Sequence, residues 1–134
     1  MTTSAYPRPV VVEDMAFLYE GFQRHQLRVQ TCGRCGKLRH PPGPFCPFCQ
    51  SPEWSATATS GRGWVHSFTV HHHPPIPPWT APHAVILADM EEGFRFLAAT
   101  QDVAPQDVRI GMPVSVAFVE CEPGFTLPAF RAAF

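Results

Sequence analysis

The sequence predicts a mainly β fold: a short N-terminal helix, a metal-binding ribbon, and then a five-stranded barrel of the OB type. Three observations carry that expectation. Cys32-Gly33-Arg34-Cys35 and Cys46-Pro47-Phe48-Cys49 form two Cys-x-x-Cys pairs. Sixteen prolines and nine glycines punctuate 134 residues, which favours strands and tight turns over long helices. Beyond residue 53, short segments alternate apolar and polar residues with the period of two that marks half-buried strands.

Taken in order, residues 1–26 read as an extended arm followed by a helix. Pro7 and Pro9 keep the first twelve residues aperiodic. From Glu13 to His25, Met15, Leu18, Tyr19 and Phe22 recur at helical spacing, and the acidic start suits the positive end of the helix dipole. Residues 27–53 read as the ribbon. Leu27–Thr31 enters the first cysteine pair as a strand, Leu38-Arg39-His40 leaves it, and Pro41-Pro42-Gly43-Pro44 excludes a helix between the pairs. His40 is expected at the solvent edge. Residues 54–134 read as the barrel. Gly61-Arg62-Gly63 marks a corner. The strands expected after it are Trp64–Val70, Ala84–Met90, Phe94–Ala98, Val114–Phe118 and Leu127–Ala132, with Glu91-Glu92-Gly93 as a hairpin turn. Asp102–Val108 fits a short helical piece with Pro105 at its first position. Pro128 cannot donate to a ladder, so the last strand is expected at an edge.

The chemistry concentrates in Cys32, Cys35, Cys46 and Cys49. A Cys-x-x-Cys turn brings two sulfurs to one side, and two such turns facing each other supply the closed tetrahedron of structural zinc. Gly36 and Pro47 support the turns. Iron uses the same four sulfurs, so the spacing leaves both metals open; abundance and fold context favour zinc. With four positions filled, such a metal holds shape and offers no site for substrate.

Composition excludes several classes. A net charge of −1, a single lysine (Lys37) and nine scattered arginines are a poor footing for gripping a nucleic-acid backbone. No apolar run resembles a signal peptide, and none of about 20 residues could span a bilayer, so the expected compartment is the cytoplasm, where thiols stay reduced. His71-His72-His73 reads as a solvated loop, because successive strand residues face opposite ways and no carboxylate lies nearby in sequence. Cys121 has no local histidine and reads as a buried or incidental thiol. Asp89, Glu91 and Glu92 read as hairpin charges. No acid–base pair emerges, and the chain is not expected to be an enzyme on its own. Single-stranded nucleic-acid binding is the alternative function, with Trp64, Phe68, Phe94 and Phe96 as a stacking platform; as barrel core they need no further role.

Ribbon first and barrel second, the chain resembles a family of small zinc-ribbon plus OB-fold proteins associated with acyl-CoA enzymes. The resemblance runs from about Phe17 to Phe130. The four cysteines carry it, with Ser60-Gly61-Arg62-Gly63, Ser67-Phe68-Thr69-Val70, the Glu92-Gly93 hairpin, Arg109-Ile110-Gly111-Met112-Pro113-Val114 and Leu127-Pro128-Ala129-Phe130-Arg131. It implies a non-catalytic accessory or scaffold subunit that accompanies a thiolase-like enzyme (thiolase or steroid side-chain retro-aldolase type) or a hydratase, beside an acyl-CoA site. The histidine run and the Pro-Pro-Ile-Pro-Pro loop depart from the family pattern.

If acyl-CoA touches this chain, its phosphates want guanidinium or ammonium groups and its adenine an aromatic face. Arg34, Lys37 and Arg39 on the ribbon, and Arg62 beside Trp64, are the expected contacts. The aromatic residues Phe17, Phe22, Trp79, Phe130 and Phe134, with Ile76, are the expected partner contacts, since interfaces draw on such anchors.

Overall fold

The structure is a computed structural model and describes residues 8–75, 79 and 81–133. Its elements follow the expected order. A 3-10 turn at Glu13–Met15 leads into helix α1, Ala16–Gln23. The ribbon strands are β1, Arg28–Cys32, β2, Leu38–Arg39, and β3, Trp54–Ala58. The barrel strands are β4, Arg62–His71, β5, His83–Met90, β6, Arg95–Ala99, β7, Pro113–Glu122, and β8, Phe125–Ala132. A 3-10 turn at Pro105–Asp107, with the proline at its start, separates β6 from β7. Of the expected arm, residues 1–7 lie outside the described residues. Arg8 pairs with Glu122 and lies over the Phe125 ring, 4.9 Å from its centroid.

The helix forms where the apolar stripe predicts it. Leu18, Gly21 and Phe22 are its buried face, with Met15 and Tyr19 partly buried on either side. It stops because His25 takes the left-handed conformation (φ 57°) and the Gln26 N–H closes back on the Gly21 carbonyl at 2.8 Å.

Two sheets result. In the first, β1 is central between β2 and β3, all antiparallel. Pairing with β3 runs from Cys32↔Trp54 to Arg28↔Ala58. The ribbon sheet therefore extends five residues past the boundary expected at 53. All five β3 residues are exposed, so no apolar pattern in β3 could have announced its partner. The second sheet has the order β6-β5-β4-β7-β8. A parallel bridge at Thr100↔Phe130, with the Gln101 N–H bonded to the Phe130 carbonyl at 2.8 Å, joins the two ends. In barrel order this is 3-2-1-4-5 with strand 5 returning to strand 3, a partly open barrel of the OB type.

One core serves the whole molecule. Leu18 and Phe22 of the helix, Leu27 and Val29 at the ribbon, and Val65, Ile86, Phe96, Val114 and Phe130 of the barrel belong to the same buried cluster. A ribbon this small lacks the apolar surface for a core of its own and borrows the barrel's.

Three expectations are corrected here. Phe22 and Phe130, expected at a partner interface, are 3% and 0% exposed. Phe96 is their common neighbour: its ring stacks on Phe22 at 6.4 Å and meets Phe130 edge-on at 5.9 Å. Trp64 and Phe68, expected with Phe94 and Phe96 in one set, are 47% and 37% exposed, whereas Phe94 and Phe96 are buried. Trp64 lies opposite Asp89 on the outer face of β5, and a register shift between Val65 and Ser67 follows it. Phe68 lies opposite the buried Ile86. It stays uncovered because β7 pairs with β4 only over Arg62–Trp64. His40, expected at the solvent edge, is half-buried between Phe94 and Phe96, with ring centroids 6.0 and 5.3 Å away.

Candidate functional site

The two cysteine pairs fold as matched turns. The Cys32 N–H donates to the Lys37 carbonyl at 2.9 Å, and the Cys46 N–H donates to the Ser51 carbonyl at 2.9 Å. The Gly36 N–H returns to the Cys32 carbonyl at 3.1 Å, as the Gln50 N–H does to the Cys46 carbonyl at 2.8 Å. The residue after each pair is left-handed, Gly36 at φ 77° and Gln50 at φ 64°. Glycine meets that demand without strain at the first turn; at the second a glutamine tolerates it. The four Sγ atoms lie within 4.8 Å of one another, with Cys32–Cys49 at 3.5 Å and Cys35–Cys46 at 3.6 Å. A tetrahedron with metal–sulfur bonds of about 2.3 Å has sulfur–sulfur edges of ~3.8 Å, so the donor set fits zinc.

Electrostatics argue the same way. The backbone N–H groups of Cys35 and Arg34 each lie 3.4 Å from Cys32 Sγ and bring its pKa down to about 6. At Cys35 the Lys37 backbone N–H favours the thiolate. Burial and the sulfurs of Cys46, Cys32 and Cys49 outweigh it and push Cys35 up to about 11. Four thiolates cannot share this space without a cation, and a dication in the middle resolves the conflict. The ribbon is a structural zinc site.

Of the arginines and lysine expected to meet acyl-CoA, Arg34 and Lys37 are exposed on the first turn, and the Lys37 ammonium sits 4.1 Å from the centre of the Phe48 ring. Arg62 is engaged by Glu91, with Nη2 at 3.1 Å from the carboxylate. Trp64 stands on the outer barrel face, as described. Arg39 differs from the rest: it is only 7% exposed. Its Nε donates to Gln30 Oε1 at 2.8 Å and its Nη2 to the Gly43 carbonyl at 3.3 Å. Gln30 is itself fully buried and accepts the Gly43 N–H at 2.9 Å.

Among the expected partner contacts, Phe17 is half-buried against Trp54, centroids 4.8 Å apart. Trp79 is half-buried and stacked on His83 at 4.8 Å. Ile76 and Phe134 lie outside the described residues. Sequence reasoning missed Phe45 and Phe48, which are 60% and 62% exposed. A signal existed: Phe48 lies between two cysteines that must point inward to a metal, which turns the intervening side chains out. Leu97, 61% exposed on β6, was also missed.

His71 is not in a solvated loop but ends β4, opposite His83 with centroids 5.2 Å apart, while His72 and His73 are exposed. Cys121 is half-buried, and burial raises its pKa. Asp89 accepts from Arg95 Nε at 2.8 Å and meets His66 Nδ1 at 3.0 Å; Arg95 first, then His66, hold its carboxyl below the usual range. No helix among the described residues is long and apolar enough to cross a membrane.

A four-sulfur ribbon joined through one core to an OB barrel defines a zinc-ribbon/OB-fold protein. Comparison with known families places it further. Residues 20–55 match the ChsH2 rubredoxin-like zinc ribbon domain and residues 56–119 the ChsH2 C-terminal OB-fold domain. The chain belongs to this ChsH2-type family. A solved structure described as the Ltp2-ChsH2(DUF35) aldolase contains a chain that is 42% identical, with a TM-score of 0.89 over 95% of this chain and 100% of that one. Two curated relatives match over 127 residues, 95% of this chain. One, from Thermomonospora curvata, is named a probable enoyl-CoA hydratase alpha subunit and is 42% identical. The other, from Mycobacterium tuberculosis, is named the 3-oxo-4,17-pregnadiene-20-carboxyl-CoA hydratase alpha subunit and is 40% identical. This chain spans 40% of the length of each.

Proposed function

We propose that the chain is a non-catalytic accessory subunit of an acyl-CoA-processing enzyme in the cytoplasm. It docks on a thiolase-like, aldolase or hydratase partner and helps shape that partner's acyl-CoA site. The observation that carries this reading is the likeness, over almost its whole length, to the ChsH2(DUF35) chain of an aldolase; the alpha-subunit names of its relatives support it. The four sulfurs are committed to holding the ribbon in shape. Phe45, Phe48, Trp64 and Leu97 offer exposed apolar surface of the kind partners cover. Arg34, Lys37 and Arg39 would supply cationic contacts to the coenzyme.

Native purification of the untagged chain, followed by identification of what travels with it, tests the reading. The expected companion is an acyl-CoA carbon–carbon lyase, ligase or hydratase chain in fixed stoichiometry. A chain that purifies alone and turns over acyl-CoA thioesters by itself would overturn the proposal.

A further inference from the structure

The fold brings two histidines together where the sequence suggests only a solvated loop. His71 ends β4, His83 begins β5, and the two are the last opposed pair of that ladder. Their ring centroids are 5.2 Å apart, with the planes inclined at 41°. Opposed residues of an antiparallel pair share one face of the sheet. Both imidazoles therefore stand on the β5 face that carries Leu87 and Asp89, away from the buried Ala84 and Ile86.

Each ring is held in place. His71 Nε2 donates to the Pro74 carbonyl at 2.6 Å, which leaves Nδ1 as the free lone pair of that ring. Trp79 stacks on His83, with centroids 4.8 Å apart and planes at 18°. A backbone group of Ala81 also acts on the His83 ring, yet its Nδ1 is buried with no hydrogen-bond partner among the described residues. A buried nitrogen in that state is costly unless something completes it.

The donor set says what completes it. No Asp, Glu or Cys occurs between Glu53 and Asp89, so imidazole is the ligand that this stretch offers. Paired imidazoles suit nickel, copper or zinc, whereas calcium and magnesium take oxygen. The spacing agrees. An imidazole bound through nitrogen at about 2.0–2.1 Å has its centre about 3.2 Å from the ion, and two such rings on a tetrahedral ion have centres ~5.2 Å apart.

We propose that His71 and His83 form a second, open metal site for a divalent transition metal of the nickel, copper or zinc class. Two protein nitrogens leave the remaining positions to water, in contrast to the closed ribbon. Two neutral ligands hold an ion far more weakly than four thiolates, so the purified chain still carries the ribbon's zinc alone. A bound ion ties the end of β4 to the start of β5 at the base of the 72–82 connection, where the ladder stops. His72 and His73 are exposed and stand outside the pair. The inference does not depend on the accessory-subunit reading.

The test is isothermal titration of the untagged, zinc-loaded chain with nickel(II) chloride, followed by analysis of the zinc retained. One nickel per chain is expected, with the ribbon's zinc still in place. His71→Gln and His83→Gln should each weaken nickel by about tenfold or more, because each removes half of the chelating pair. A chain carrying His72→Gln and His73→Gln together should stay within about threefold of wild type. His71→Gln keeps an N–H for the Pro74 carbonyl, so its thermal unfolding without metal should match wild type. Nickel should then raise the unfolding temperature of wild type but not of His71→Gln. No saturable binding up to about 1 mM nickel, uptake only as zinc is lost, or wild-type affinity in either single variant would overturn the site. So would a loss confined to the His72→Gln, His73→Gln chain, which would assign the metal to the loop histidines.

Discussion

Replacing Phe130 with alanine separates core from interface, the point on which sequence and structure disagree most. Its side chain is fully buried, packs edge-on against Phe96, and lies where the parallel bridge to Thr100 closes the barrel. Removing the ring deletes six carbons and opens about 100 Å³, which at ~24 cal/mol per Å³ costs roughly 2.4 kcal/mol if the site does not collapse. Loss of the transfer free energy adds about 2 kcal/mol. Partial relaxation brings the expected total to about 3–5 kcal/mol, a large share of the ~5–15 kcal/mol that holds a typical domain together. The backbone bond from Gln101 to the Phe130 carbonyl survives the change, so the loss is one of packing. Urea unfolding of the zinc-saturated chain, wild type beside Phe130→Ala and Phe48→Ala, measures it. Phe48 is 62% exposed, and its truncation should stay within about 0.5 kcal/mol. A Phe130→Ala cost below about 1 kcal/mol, or a Phe48→Ala cost above that of Phe130→Ala, would refute the packing argument.

Three further outcomes follow from the same structure. Metal analysis should find one zinc per chain, and Cys46→Ser should abolish stoichiometric binding and unfold the ribbon, since structural zinc contributes about 10 kcal/mol or more in small modules; a fully folded metal-free protein would contradict the site. Burial lowers the pKa of His40, so the unfolded chain binds a proton that the folded chain refuses. Stability should therefore fall as pH drops below the ordinary histidine value of about 6.5, and His40→Phe should flatten that slope in urea titrations between neutral pH and about 6. An equal slope in the variant would remove His40 as the cause. Labelled single-stranded oligonucleotides should bind weakly and with a shallow salt response, because the chain carries one lysine and a net charge of −1; submicromolar binding that collapses with salt would favour the nucleic-acid reading.

Much of this fold is legible in the residues, for identifiable reasons. The cysteine pairs specify a geometry that admits few alternatives. Ala84–Met90 is a nearly continuous apolar run, which marks β5 as a central strand, although its alternation of buried and half-buried positions shows only in the fold. The stripe of Met15, Leu18 and Phe22 marks the helix by its spacing. What is not legible depends on contacts distant in the chain. β3 is exposed throughout, and only its pairing with Arg28–Cys32 assigns it to the ribbon. An aromatic residue fits a core or an interface equally well by composition: Phe22 and Phe130 meet across Phe96 only after the barrel closes. The site divides along the same line. Local spacing yields the zinc ligands, whereas the burial of Arg39 depends on Gln30 and Gly43 folding around it.

The measurement that bears most directly on the accessory-subunit account is the steady-state turnover of an acyl-CoA substrate by the partner enzyme, titrated with this chain. The account predicts negligible turnover by this chain alone. It also predicts that partner activity rises with added chain and saturates at a fixed stoichiometry. A partner rate unchanged by the chain at every ratio would contradict it.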